Sequence, residues 1–469
     1  MNTVTRVAAL LVVLVSACKA RRAEDLAEAS SILVVSALRG TTEPCGCTSH
    51  PLGGLDRLAA RVGAHRSAGA RALLMVGDTF FEQPTSADHA RAQDEARASV
   101  IGDVLERLGP AALVLGPADL GRGRKQEPVP RTIELGGLTV ALFQRAELDG
   151  KSCGALRAET ARAQADARVL LLGTDSPAAR ACESGVDIVL VPGGEETRIP
   201  TVAGSALWID AADRGRYLGQ LVFHMGPPGS WTFYDEGKSA RLTHDAKRER
   251  LRRELEALED GPAKEARRAK LAALDAEVTT SEKPHGRYVT WRLEAIDRDV
   301  EPAEWATDAL QGFNRSLCDI TRTATRERTC ERAPSIADHY VGTAVCQGCH
   351  VEEMDVYNKT SHAHAWATLE KASKSCDLTC VGCHSVGWEK PGGYCRLDDV
   401  ERFTNVGCEN CHGPGRGHAM NPADRSGWSA SFVRDPGVTT CVTCHNPQHS
   451  DKFDFATYRP RILGPGHGR

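Results

Sequence analysis

The chain has 469 residues and a formal net charge of −4, from 58 Lys+Arg against 62 Asp+Glu. That length has room for several domains, and the charge balance excludes the broad basic field with which nucleic-acid binders recruit their partners. Seventeen cysteines are many for a reducing cytosol and point to an oxidising compartment.

The N-terminus agrees with that compartment. MNTVTRVAALLVVLVSAC carries Arg6, an apolar core from Val7 to Val15 and small residues before Cys18, the pattern of a signal peptide over residues 1–17. Its end, Val15-Ser16-Ala17-Cys18, resembles the bacterial lipobox. The resemblance implies that Cys18 becomes the first mature residue, carries lipid and anchors the protein to a bacterial membrane. Lys19 is not the aspartate that often retains such proteins at the inner membrane, which favours the outer one. Residues 18–30 read as a lipidated tether. No later apolar run approaches the ~18 residues of a membrane span, so the remainder is expected to be soluble and periplasmic.

From residue 31 to about 240, short apolar runs alternate with Ala/Arg/Glu-rich segments. They are ILVV (32–35), ALLMV (72–76), ALVLG (112–116), LTVALF (138–143), VLLLG (169–173), DIVLVP (187–192), ALWID (206–210) and LGQLVF (218–223). Runs of this length, rich in Val, Ile and Leu, predict buried strands in an α/β layered fold. Residues 241–278 read as a charged helical hairpin broken at Asp260-Gly261-Pro262, or as a solvated spacer. RYVTWRLEAI (287–296) alternates apolar and polar residues and predicts a strand that could return to the first domain. A polar Arg/Thr-rich connector (319–339) completes the 241–339 stretch.

From residue 340 to 469 the chain repeats one motif four times: CQGCH (346–350), CVGCH (380–384), CENCH (408–412) and CVTCH (441–445). Cys-x-x-Cys-His is the c-type haem attachment pattern. Its two thiols add to the two vinyl groups of haem, and the adjacent imidazole sits under the iron. At this chain's Cys and His frequencies, chance would give about 0.02 such matches. A zinc ribbon also uses Cys-x-x-Cys pairs, but it does not require His after every second Cys. The reading is four covalently bound haems c. The thioether cysteines are Cys346, Cys349, Cys380, Cys383, Cys408, Cys411, Cys441 and Cys444, and the proximal iron ligands are His350, His384, His412 and His445. What occupies the opposite face of each iron sets its chemistry. A second His gives an electron-transfer centre, and an empty face admits substrate. The spare histidines are His339, His362, His364, His418, His449 and His467.

This segment resembles the tetrahaem cytochrome c-554 family in YVGTAVCQGCH, SHAHAWATLE, CVGCHSVGW, NVGCENCHGPGRGH, CVTCHNPQHSDKFDFATY and GPGHG. The resemblance implies helices and loops around stacked haems, three bis-histidine centres and one open-faced centre. It carries His362, His418 and His467 over as distal ligands, with His364 the alternative to His362, and leaves open which haem each serves. Cys376 and Cys395 flank the second motif and are expected to form a disulfide.

The order of strands and loops over residues 31–225 resembles the calcineurin-like phosphoesterase domain of periplasmic 5′-nucleotidases. MVGDTFF (75–81) matches the metal-bridging Gly-Asp loop. GGEETRIPTVAGSALWIDAADRGRYLGQLVF matches the closing part of that domain. The departures fall on the metal ligands. The family's Asp-x-His position reads SALRG (36–40), its Asn-His-Glu position reads GPADLGRG (116–123), and its Gly-His-Thr-His becomes Gly194-Glu195-Glu196-Thr197. Asp78 alone survives. Two cations about 3.5–4 Å apart need several carboxylates and imidazoles as a clamp, so no divalent metal pair is expected here. Asp78 is then free to serve the backbone instead.

The loop above the first strand reads EPCGCTSHPLGGLDR (43–57). Three readings stand for Cys45 and Cys47: thiolate ligands of a metal with His50, a strained and easily reduced disulfide acting as a redox couple, or separate structural bridges. Outside the haem motifs and Cys18, eight cysteines remain. Cys153 with Cys182 and Cys318 with Cys330 are the local pairs, which leaves Cys45 and Cys47 to each other. The function expected is electron transfer with periplasmic redox proteins, with no nucleic-acid partner. The alternatives are a haem-dependent oxidoreductase of a small nitrogen or sulfur compound and a metal-dependent phosphoester hydrolase.

Overall fold

A computed structural model describes residues 30–44, 51–70, 72–194, 197–235, 248, 251–252, 255, 261–276, 283–446, 449–450 and 452–467. Cys18, Cys45, Cys47, His50, Glu195 and Glu196 lie outside the described residues, as does most of the first arm of the expected hairpin. The chain divides into two compact units. The first is built from the residues up to Pro44, Leu52–Thr85 and Ala98–Thr307; the second is built mainly from Ser86–Arg97 and Asp308–Arg469.

The strands of the first unit are β1 (Ser31–Ser36), β2 (Ala72–Gly77), β3 (Ala112–Leu115), β4 (Thr132–Leu135), β5 (Leu138–Arg145), β6 (Ala167–Leu172), β7 (Ile188–Val191), β8 (Thr201–Ala203), β9 (Ala206–Asp210), β10 (Tyr217–His224), β11 (Thr232–Phe233) and β12 (Tyr288–Ala295). They form two six-stranded sheets, ordered β11-β12-β10-β1-β2-β3 and β4-β5-β6-β7-β9-β8. Each sheet contains a parallel block: β1, β2 and β3 along one side of the first, β5, β6, β7 and β9 through the centre of the second. Strands covered on both faces read as unbroken apolar runs, which is why the eight runs of the sequence mark these seven parallel strands and the buried antiparallel β10. The runs missed β4, β8 and β11, which are short or carry exposed polar residues.

Ile32, Val34, Leu74 and Val76 of the first sheet share one core with Val140, Leu142, Val169, Leu171, Ile188 and Leu190 of the second. The helices α1 (Leu55–Ala68), α2 (Asp88–Leu108) and α3 (Gly150–Arg162) connect the strands. Leu55, Leu58 and Val62 of α1 are buried. β12 pairs antiparallel with β10, Trp291 opposite Leu221. The 287–296 strand therefore does return, and the layered unit runs on to Thr307 rather than closing near residue 240. Gly219 makes room for it, because a Cβ there would stand 2.0 Å from the Trp291 ring.

The second arm of the hairpin is helix α4 (Pro262–Ala276), and the chain later enters α5 (Glu304–Thr325). Residues 319–325 were expected in an irregular connector; they are the last turns of α5. Ala306, Leu310, Phe313, Leu317 and Thr321 form its buried stripe at helical spacing. The Thr and Arg content of this stretch masked the period.

Three disulfides join described cysteines, and two of them correct the expected pairing. Cys153–Cys182 forms as expected. Cys318 bonds Cys376, not Cys330, and Cys395 bonds Cys330, not Cys376, with Cα–Cα separations of 4.9 and 5.3 Å. The physical reason is α5. A helix rises about 1.5 Å per residue, so it carries the chain well away from Cys318 before Cys330 is reached, whereas a disulfide needs Cα atoms within about 7 Å.

Candidate haem centre

Each motif is folded as one helical turn, which puts its first Cys and its His on the same face. The His350 amide donates to the Cys346 carbonyl at 3.0 Å, and the His445 amide to the Cys441 carbonyl at 2.9 Å. The second motif lies on helix α6 (Leu378–His384), and the third is the helical turn Cys408–His412.

Three of the four proximal imidazoles are oriented by hydrogen bonds at Nδ1. This nitrogen lies 2.8 Å from the Ala365 carbonyl in His384, 2.7 Å from the Val433 carbonyl in His412, and 3.0 Å from Ser450 Oγ in His445. In His350 it is 3.8 Å from the Glu353 carboxylate. A proton donated from Nδ1 leaves the Nε2 lone pair for a metal, the usual arrangement of a ligating histidine. Burial holds His362, His412, His418 and His445 below the ordinary imidazole range, in the neutral form that ligates.

The rings fall into pairs. His350 and His418 have centroids 5.9 Å apart, His362 and His445 6.0 Å, and His412 and His467 6.0 Å. Two metal–nitrogen bonds of about 2 Å, with the half-width of a ring added on each side, span about 6 Å. The donor set therefore fits an iron between each pair. His418 Nδ1 is buried without a hydrogen-bond partner, so this ring lacks the Nδ1 acceptor that orients His384, His412 and His445. In His467, Nδ1 accepts the Gly464 amide at 3.1 Å, a contact that must be released for the ring to present Nε2 without its proton. His384 has no imidazole ring partner among the described residues. His364 Nε2 is 3.1 Å from the Asn358 carbonyl, and His339 Nδ1 is 3.2 Å from the Ile336 carbonyl.

The motif thiols also meet across motifs. Cys346 is within hydrogen-bonding reach of Cys408, and Cys444 of Cys383; the latter contact pulls Cys444 down to about 6. Burial pushes Cys411 up to about 11, with added repulsion from Cys441, Cys408 and Cys444. Motif one thus adjoins three, three adjoins four, and four adjoins two. Val345, Val351, Val438 and Val442 stand exposed beside the motifs, apolar surface of the kind a porphyrin face covers.

Two contributors were missed in the sequence. Glu409, inside the third motif and buried, accepts the amides of Val341, Gly342 and Gly415 at 2.7–3.1 Å, which fastens the lead into the first motif. Phe432 stacks on both His412 and His418. Neither residue type has a sequence signal for such a role.

In the first unit the loop after β2 carries Asp78, whose Oδ1 accepts the Ala118 amide at 2.7 Å. Gly116 permits that approach, since a Cβ there would be 2.3 Å from the carboxylate. The sequence reading overlooked Asp119. It is fully buried and accepts the amides of Thr79, Phe80 and Phe81 at 2.6, 2.9 and 3.0 Å. Both carboxylates therefore serve the backbone. Ala37, Arg39, Ala212 and Arg214 hold positive φ in the loops that follow β1 and β9, and Arg39 and Arg216 face Asp213.

Residues 345–413, which hold three of the four motifs, match the family of cytochrome c554 and c-prime. Cytochrome c-554 of Nitrosomonas europaea is 34% identical over 92 residues, 16% of this chain, and the chain spans 39% of that relative's length. Among solved structures, the sulfate thiohydrolase SoxB of Thermus thermophilus, bound to glycerol, has a TM-score of 0.38 at 12% identity, over 62% of this chain and 61% of that one. A 5′-nucleotidase precursor, also from Thermus thermophilus, has 0.37 at 13% identity, over 77% and 70%. The calcineurin-like phosphoesterase YfkN of Bacillus subtilis has 0.36 at 14%, over 63% and 98%. The C-terminal segment is thus similar to the cytochrome c554 family, of the class that binds haem c covalently, and it follows an α/β unit whose solved neighbours are phosphoesterases and nucleotidases.

Proposed function

We propose that the chain is a periplasmic, lipid-anchored multihaem cytochrome that passes electrons between redox proteins. The observation that carries this reading is the set of three imidazole pairs at 5.9–6.0 Å, each joining a motif histidine to one of His418, His362 and His467. Haem c supplies a one-electron couple at each motif. The chain's part is to hold the imidazoles neutral and oriented, and to set the motifs side by side. The thiol contacts give the order one, three, four, two. A relay along that order ends at the motif of His384.

The lipid anchor at Cys18, with the outer membrane as its site, belongs to the same reading. So does a redox couple at Cys45 and Cys47. Support for the couple comes from the cysteine inventory: six cysteines are paired in disulfides, eight lie in the motifs and Cys18 is the lipidation site, so of seventeen only these two remain.

A second reading, a haem-dependent oxidoreductase of a small nitrogen or sulfur compound, is favoured by one observation: His384 has no imidazole opposite it among the described residues. The test of the main reading is intact-mass spectrometry of the secreted protein followed by a spectroscopic redox titration. Four covalent haems that reduce and reoxidise reversibly are expected. Fewer haems, or irreversible reduction, would contradict it.

A further inference from the structure

The helix α6 that carries the second motif begins at Asp377, and its start is fastened by residues from far upstream. Gln93 Oε1 accepts the Leu378 amide at 3.0 Å, while Gln93 Nε2 donates to the Cys376 carbonyl at 3.0 Å and to Thr321 Oγ1 at 2.8 Å. Thr321 Oγ1 in turn donates to the Cys376 carbonyl at 3.1 Å. Arg97 Nη2 donates to Asp377 Oδ1 at 3.1 Å and to Gln93 Oε1 at 3.3 Å. The same Asp377 oxygen caps the helix by accepting the Thr379 amide. Gln93, Arg97, Thr321, Cys376 and Asp377 are all buried. A buried polar network whose members all have partners fixes a single arrangement, because any departure strands a donor or acceptor without water. The Cys318–Cys376 disulfide lies at the same point.

The third motif is also tied upstream, but through its own side chains: Glu409 accepts the Val341 and Gly342 amides, and Asn410 Nδ2 donates to the Ser385 carbonyl at 2.8 Å. The third is capped by its own Asn410 at the Gly407 amide, and the fourth starts at Gly437 with no side-chain cap. The second is also the motif whose histidine has no partner imidazole among those residues. An iron held between two imidazoles is positioned from both sides. An iron held by His384 alone takes its geometry from α6.

We propose that Gln93 and Arg97 are positioning residues for the haem of the second motif, fixing the proximal side of the centre whose histidine has no partner imidazole among the described residues. This rests on the four-haem reading given above. Gln93 and Arg97 touch no reacting atom and act through Asp377 and the Leu378 amide.

The experiment compares the full-length holoprotein with Arg97→Ala and Gln93→Leu, reading the high-spin and low-spin ferric signals by electron paramagnetic resonance and the potential of the high-spin centre. Both variants are expected to keep four haems and an unchanged low-spin signal, while the high-spin signal shifts or broadens and its potential moves. Arg97→Lys, which keeps the charge, is expected to restore most of the parent signal. If Arg97→Ala does not fold, the double variant Arg97→Met/Asp377→Asn, which buries no lone charge, takes its place. Variants with four haems and parent-like high-spin signal and potential would overturn the proposal, as would changes spread equally over all four centres. A parent protein with fewer than four haems would instead overturn the four-haem reading, so the two failures are distinguishable.

Discussion

Asp119 shows what a single buried carboxylate does here. Burial pushes its pKa up to about 6 from 3.8, against the pull of three amide donors, and the neighbouring Asp78 adds to the rise. Its folded-state pKa lies above its unfolded value, so between about pH 4 and 6 the folded unit binds the extra proton. Stability from this group is therefore greatest at the acid end of that window and falls as pH rises through it. Denaturation of the parent and of Asp119→Asn across pH 4–7 should show the parent losing up to ~3 kcal/mol relative to the variant, then levelling off. A difference that does not vary with pH would refute this. The imidazole pairs give a second residue-scale prediction. His418→Ala should convert the centre of His350 from low-spin to high-spin, and His362→Ala that of His445, read by magnetic circular dichroism. A variant with an unchanged low-spin complement would remove that histidine from the ligand set. Which histidines were spare was legible in the sequence. Which motif each faces was not, because His362 and His445 lie 83 residues apart and only the folded chain brings their rings together.

At the scale of elements, the strands were the legible part. Runs such as ILVV and VLLLG are buried on both faces, and that environment selects branched apolar residues whatever the topology. The pairing of β12 with β10 was only suspected, since alternation shows a strand but not its neighbour. α5 was hidden by its polar residues, and with it the disulfide pattern. The element-scale prediction follows from that pattern. Peptide mapping without reduction should find Cys318 joined to Cys376 and Cys330 to Cys395. Removing the first bridge as Cys318→Ser/Cys376→Ser should lower the stability of the second unit by about 4 kcal/mol, the loop-closure expectation for a bridge of 58 residues. Finding Cys318 joined to Cys330 would overturn the pairing, and a loss below about 1 kcal/mol would remove the bridge's stabilising role.

Over the whole molecule, the Cys-x-x-Cys-His repeats carry most of the functional information, because covalent attachment fixes residue types and spacing independently of fold. The α/β unit has no comparable signature. Its main strands could be read along the chain, but Asp78 and Asp119 serve backbone amides, and Cys45 and Cys47 lie outside the described residues. The central claim of the proposed function is that three irons would sit between the imidazole pairs, and that one, on His384, would have a free face because no imidazole stands opposite it among the described residues. The most direct test is to oxidise the full-length protein, record its electron paramagnetic resonance spectrum, then reduce it and titrate with carbon monoxide, which binds only an iron with a free face. The account predicts three low-spin centres, one high-spin centre and one carbon monoxide bound per chain. Four low-spin centres with no carbon monoxide bound, or carbon monoxide bound at several centres, would contradict it.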